Sequence, residues 1–184
     1  DNGSIKVDAA KTYSSFTEFT ATYQLQSFKV IDTTTTGEVV IVAGMPDEES
    51  ATTGVLGKVV LLKVNPADLT ITKLTTLPET DGANDPIGLL LNNASAFGSS
   101  TVRLSKQNGV IRLAIASPGD IVNGSPVGQI HYVDIDANYT RLASKAAPLC
   151  FGIDTVFQPK SLSVADFDHD SILDLLVGQP TASY

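Results

Sequence analysis

Apolar and polar positions alternate along much of the chain with a period of two. Three segments open on glycine and place apolar residues two and four positions later: Gly3-Ser4-Ile5-Lys6-Val7, Gly57-Lys58-Val59-Val60-Leu61 and Gly128-Gln129-Ile130-His131-Tyr132. This is the pattern of strands with two distinct faces. The β-rich run Leu69 to Leu74 follows the second segment. Short apolar runs such as Val40–Ala43 and Leu173–Val177, bounded by Gly and Pro, read as buried strands. Helical periodicity is absent, so the pattern predicts an all-β protein.

The runs repeat in register. Anchored on proline, Val40-Ile41-Val42-Ala43-Gly44-Met45-Pro46 aligns with Arg112-Leu113-Ala114-Ile115-Ala116-Ser117-Pro118 and with Asp174-Leu175-Leu176-Val177-Gly178-Gln179-Pro180. The alignment extends back fourteen residues without a gap, to Asp32, Leu104 and Asp166. Gly37 and Gly109 fall where the third copy has Ser171. The glycine-led strand follows Pro46 by eleven residues and Pro118 by ten. Phe97-Gly98 and Phe151-Gly152 precede the second and third copies. Each unit is expected to be a hairpin, a loop and two more strands, and four strands repeated radially make a propeller blade.

The third copy carries the chemistry. Asp166, Asp168, Asp170 and Asp174 stand at positions 1, 3, 5 and 9 of a short loop. Alternate side chains of a tight loop point inward together, and Ca2+ takes oxygen ligands at about 2.3–2.6 Å. Four carboxylates this close repel one another unless a cation neutralises them, and the backbone carbonyl of Ile172 at position 7 would add a ligand. An EF-hand needs Gly at position 6 and Glu at position 12, where this loop has Ser171 and Val177. The first copy reads Asp32-x-Thr34-x-Thr36-Gly37 and the second Leu104-x-Lys106-x-Asn108-Gly109, with Val40 and Arg112 at position 9. Those two loops are not expected to bind calcium. Lys106 and Arg112 bring positive charge to them, and both are expected to be solvated.

The loop and the strand after it resemble the FG-GAP repeat of integrin alpha-subunit β-propellers, where a DxDxDGxxD calcium loop leads into a strand ending near VGAP. The chain departs from that pattern at His169 and Ser171, and a non-glycine residue at position 6 is costly if φ there is positive. The resemblance implies a β-propeller of four-stranded antiparallel blades, present as a partial set of about three over residues 1–184. Units are expected at roughly 15–75, 97–145 and 151–184, the last incomplete, with 1–14 ending a preceding blade. The remaining blades would come from the same longer chain or an assembly partner. The resemblance also implies a calcium-stabilised adhesion or binding module. Its calcium loops would stiffen hairpins on one face, and a protein or glycan ligand would meet loops on the other. Those loops are Pro46–Leu56, Pro118–Val127 and roughly Leu77–Ser100, the last carrying Glu79, Asp81 and Asp85. Alternatives are a non-catalytic propeller accessory to an enzyme, phospholipase D-like or a lyase, and a sugar-binding lectin. The absence of Trp and the five Tyr out of repeat register weigh against the lectin.

Charge and composition narrow the setting. A net charge of −8 argues against nucleic-acid binding, which needs a basic stripe. The sequence contains no apolar run long enough for a membrane span. Acceptor sequons at Asn2, Asn93, Asn123 and Asn138, together with a calcium loop, favour an extracellular, secreted or cell-surface location. The single cysteine, Cys150, reads as a small buried hydrophobe or as one half of a disulfide with a cysteine elsewhere. Catalytic motifs are absent: the chain has no Gly-x-Ser-x-Gly elbow, no His-Glu-x-x-His and no phosphate-binding glycine loop. Asp47-Glu48-Glu49, Asp120, Asp134 and Asp136 are expected to be solvated loop and edge charges.

Overall fold

The computed structural model describes residues 26–49, 56–78, 95–122, 125–126, 128–142 and 158–179. Expectations for Asn2, Gly3–Val7, Glu79, Asp81, Asp85, Asn93, Asn123, Cys150, Phe151, Gly152 and Pro180 lie outside these residues. The described elements are all strands, and every sheet is antiparallel.

The first sheet is a four-stranded meander of β1 (Ser27–Thr33), β2 (Val39–Glu49), β3 (Leu56–Val64) and β4 (Ile71–Leu77), in sequence order. The second begins with β5 (Thr101–Gln107) and β6 (Val110–Ser117). Two short strands, β7 (Ile121–Val122) and β8 (Ser125–Pro126), pair with each other. The chain then returns as β9 (Gln129–Ile135), giving the order β5-β6-β9. The third sheet is the hairpin of β10 (Ser161–Ala165) and β11 (Asp174–Gly178).

Each aligned copy is a hairpin closed by the loop that the frame predicts. The frame also fixes which face each residue occupies. Val40 and Val42 point from the first sheet into a core shared with Ile111, Leu113, Ile115, Val133 and Ile135 of the second. On the far side of the second sheet, Ala114, Ala116 and Ile130 pack with Leu162 of the third, against Leu175 and Val177. The second sheet is therefore covered on both faces. Alternate residues of its central strand serve two different cores, which explains why β6 reads as a nearly unbroken apolar run. Burying each such Val, Leu or Ile contributes about 1.5–3 kcal/mol.

The sheets meet most closely near their first strands, where β1 adjoins β5 and β5 adjoins β10. Small residues permit this. Gly98 has φ +91, and a Cβ there would lie 2.7 Å from a Val59 methyl; a Cβ on Gly44 would collide with the Gly98 carbonyl. Ser27 Oγ donates to that same carbonyl at 2.9 Å. The Phe97-Gly98 pair is thus a close-approach point: Phe97 is buried, and Gly57, at the start of β3, bridges to it.

Candidate functional site

The loop from Asp166 to Leu173 joins β10 to β11, and its geometry follows from carboxylates capping their own backbone. Asp166 accepts from the amides of Asp170 at 3.0 Å and Ser171 at 2.9 Å. Asp174 accepts from the Phe167 amide at 2.9 Å, which draws the end of the loop back to its start. Such Asx-type bonds let short acidic side chains organise a turn. One oxygen each of Asp166, Asp168 and Asp174 then lies within 4.8 Å of the others. Asp170 is not in this group: its carboxylate accepts from the Ile172 amide at 2.7 Å. The structure thus brings together three of the four predicted acidic ligands, and the Ile172 side chain points to solvent. His169 and Ser171 both have positive φ, +63° and +70°. The three oxygens suit a hard cation, whose remaining coordination would fall to backbone carbonyls and water.

The same frame position turns the other two loops. Gly37 has φ +84 and Gly109 φ +77, matching Ser171. In the first loop, hydroxyls and an acid take the place of the carboxylates: Thr34 and Thr36 bond each other at 2.9 Å, and Thr36 donates to Glu38 at 3.0 Å. Lys63 of β3 lies 2.9 Å from Glu38 and holds its carboxyl below the usual range. Lys106 reaches across from the second loop and donates to both oxygens of Asp32, at 2.7 and 2.8 Å. Tyr139 donates to Asp32 at 3.0 Å. Burial alone would raise the Asp32 pKa, but the bonds from Lys106 and Tyr139 outweigh it and leave the pKa lowered. The Tyr139 phenol is pushed up to about 12, by burial and by this carboxylate. Lys106 is therefore an intersheet partner whose side chain remains 42% exposed.

Arg112 is exposed, as expected, and it and the acids of the neighbouring turn also find partners. Arg112 makes a two-pronged pair with Asp134 across β6 and β9, at 2.7 and 2.8 Å. Asp136 caps the next turn, accepting from the amides of Asn138 and Thr140, both at 2.8 Å. The sequon residue Asn138 is exposed in that turn.

One expectation is corrected outright, that of Asp120 as a solvated turn acid. Asp120 is fully buried and lies 2.6 Å from Nε2 of His131, which is also buried. Ser117 Oγ donates to the other Asp120 oxygen at 2.8 Å. Phe97 meets the His131 ring edge-on. The acid stands between serine and histidine, so the histidine does not bridge to the hydroxyl as a nucleophile's base must. The cluster instead anchors the Pro118–Asp120 turn from beneath. The only sequence signal was the period-2 pattern, which put His131 on the strand face that the second sheet turns toward the first. Nothing local marked Asp120 as its partner.

That turn rims an open cavity of about 390 Å³ at the end of the sheets opposite the hairpin loops. All three sheets contribute to it: Pro46 and Asp47 beside the first, Ser99, Pro118 and Gly119 beside the second, and Lys160 beside the third. Gln26 donates to Asp47 at 2.8 Å on its rim. Pro46 and Pro118, the first residues of two of the expected ligand loops, both line it, although β2 continues through Pro46 to Glu49.

Among the described residues no helix is long and apolar enough to cross a membrane. Compared with protein-family models and with curated proteins, the chain gives no match.

Proposed function

We propose that this chain is a section of a calcium-stabilised β-propeller of the FG-GAP type, serving as a non-catalytic extracellular binding or adhesion module. The observation that carries the reading is the convergence of Asp166, Asp168 and Asp174 in a hairpin loop whose turn geometry recurs at Gly37 and Gly109. The close approach of successive first strands supports a radial arrangement, and the complete meander of the first sheet has the strand order of a blade. Calcium would neutralise the three aspartates and stiffen the β10–β11 hairpin. Ligand, a protein or a glycan, would bind at the opposite end, around the cavity between Asp47 and Lys160. The exposed Asn138 sequon fits an extracellular setting.

Thermal unfolding of the chain with calcium against excess chelator tests the metal. At a free calcium concentration about a hundredfold above the dissociation constant, the fold gains about 2.7 kcal/mol. Asp174→Ala is expected to abolish that gain while leaving the cavity end intact. An equal calcium gain in the variant would remove the assignment.

A further inference from the structure

The cavity at the end of the sheets is lined by one repeated position. Phe28, Thr101 and Leu162 pair with Ala43, Ile115 and Val177, which share a place in the frame. Two residues before them stand Gln26, Ser99 and Lys160, and all three line the cavity. The residue between is a serine in every copy: Ser27, Ser100 and Ser161. Two of these serines tie sheets together. Ser27 donates to the Gly98 carbonyl at 2.9 Å, and Ser100 Oγ accepts from the Leu162 amide at 3.0 Å. The cavity-lining position beside them differs in each copy, offering an amide, a hydroxyl and an ammonium.

The rim is held firmly. The Ser95 carbonyl accepts from the Ser117 hydroxyl at 3.0 Å and from the Gly119 amide at 3.1 Å. These bonds tie the segment before β5 to the turn that Asp120 and His131 anchor. Ala96, which lines the cavity, is left-handed at φ +51°. Such strain persists only where the surroundings hold it, and it gathers at ligand clamps. The charges at the cavity are unequally committed. Asp47 accepts from Gln26 at 2.8 Å, whereas among the described residues the Lys160 ammonium meets no carboxylate. Ser99 Oγ makes only long bonds, to the Ala116 and Pro159 carbonyls at 3.4 and 3.5 Å.

We propose that the cavity takes a carboxylate of a protein partner, an Asp or Glu side chain held by the Lys160 ammonium and the Ser99 hydroxyl. The inference rests on the reading of this end as the ligand end, and not on calcium. A charge-assisted bond from an ammonium to a carboxylate is stronger than a neutral one. The described lining residues include no aromatic ring, so a sugar face has no platform to stack on. A volume of about 390 Å³ is small for a ligand cavity and suits one side chain with its flanking backbone.

Nuclear magnetic resonance of the isotope-labelled chain tests this, with the capped tripeptide Gly-Glu-Gly as probe. Its Gly-Gln-Gly and Gly-Lys-Gly counterparts and glucuronic acid serve as comparisons. The glutamate peptide is expected to shift the amides of Ser99, Gly119 and Lys160 and to bind about tenfold more tightly than the glutamine peptide. Lys160→Met should remove that preference and Lys160→Arg should keep it. A glutamine or lysine peptide that binds as tightly, or a preference that survives Lys160→Met, would overturn the proposal. Glucuronic acid bound more tightly than the glutamate peptide would overturn the assignment to a protein partner. No shift with any probe would remove the ligand-end reading together with this inference. Calcium-dependent unfolding is measured on the same samples: its absence with the glutamate preference intact would remove the metal reading and leave this one standing.

Discussion

The backbone at one frame position decides much of the loop chemistry. Gly37 and Gly109 adopt positive φ without steric cost, whereas Ser171 adopts it with a Cβ. A left-handed non-glycine residue costs about 1–2 kcal/mol. The strain sits in the loop that has kept its carboxylates. Ser171→Gly is expected to raise stability by about 1 kcal/mol in denaturant titration without calcium, and to leave the aspartate cluster in place. The sequence marked this position through the glycines of the other two copies. It could not show that Asp170 turns away from the cluster, because that depends on which backbone amide its carboxylate reaches first.

At the scale of the hairpins, the first and second are tied by the Asp32–Lys106–Tyr139 group rather than by matching loops. Because its folded pKa is lowered below 3.8, Asp32 stabilises the protein above its unfolded pKa. That contribution is lost as pH falls through the folded value. Asp32→Asn should therefore flatten the acid limb of a stability profile below pH 3.8, and it should soften the alkaline limb as well, since the carboxylate also helps hold the Tyr139 phenol up. Lys106 is partly exposed, so the pair itself contributes at most about 1 kcal/mol at neutral pH. Strand positions and faces were readable here because the period of two survives in every copy. The partners of Lys106, Arg112 and Asp120 were not, since each lies on a different strand or loop and local pattern carries no information about which charges meet. Asp120 shows the limit most clearly: a Pro-Gly-Asp turn reads as surface, yet His131 and Ser117 supply the bonds that let a carboxylate be buried.

Across the described residues, the stack is built from one interface used twice, with the Asp32–Lys106 ion pair at one end and an open cavity at the other. The gap-free frame matters more than the identity of any core residue, because a one-residue slip in β6 would exchange the two cores it serves.

The Lys106 ammonium also makes the molecule uneven in what it owes to its surroundings. Its charge is covalently held and cannot be diluted away, whereas any cation at Asp166 exchanges with the medium. On the calcium reading, a fall in external calcium is a signal that enters the protein at one end only. Hydrogen exchange after chelation should speed up in β10 and β11 first and leave the amides of β1 and β2 at their former rates. Uniform acceleration would mean that the three sheets respond as one body. A graded response would confine the effect of calcium to the third sheet.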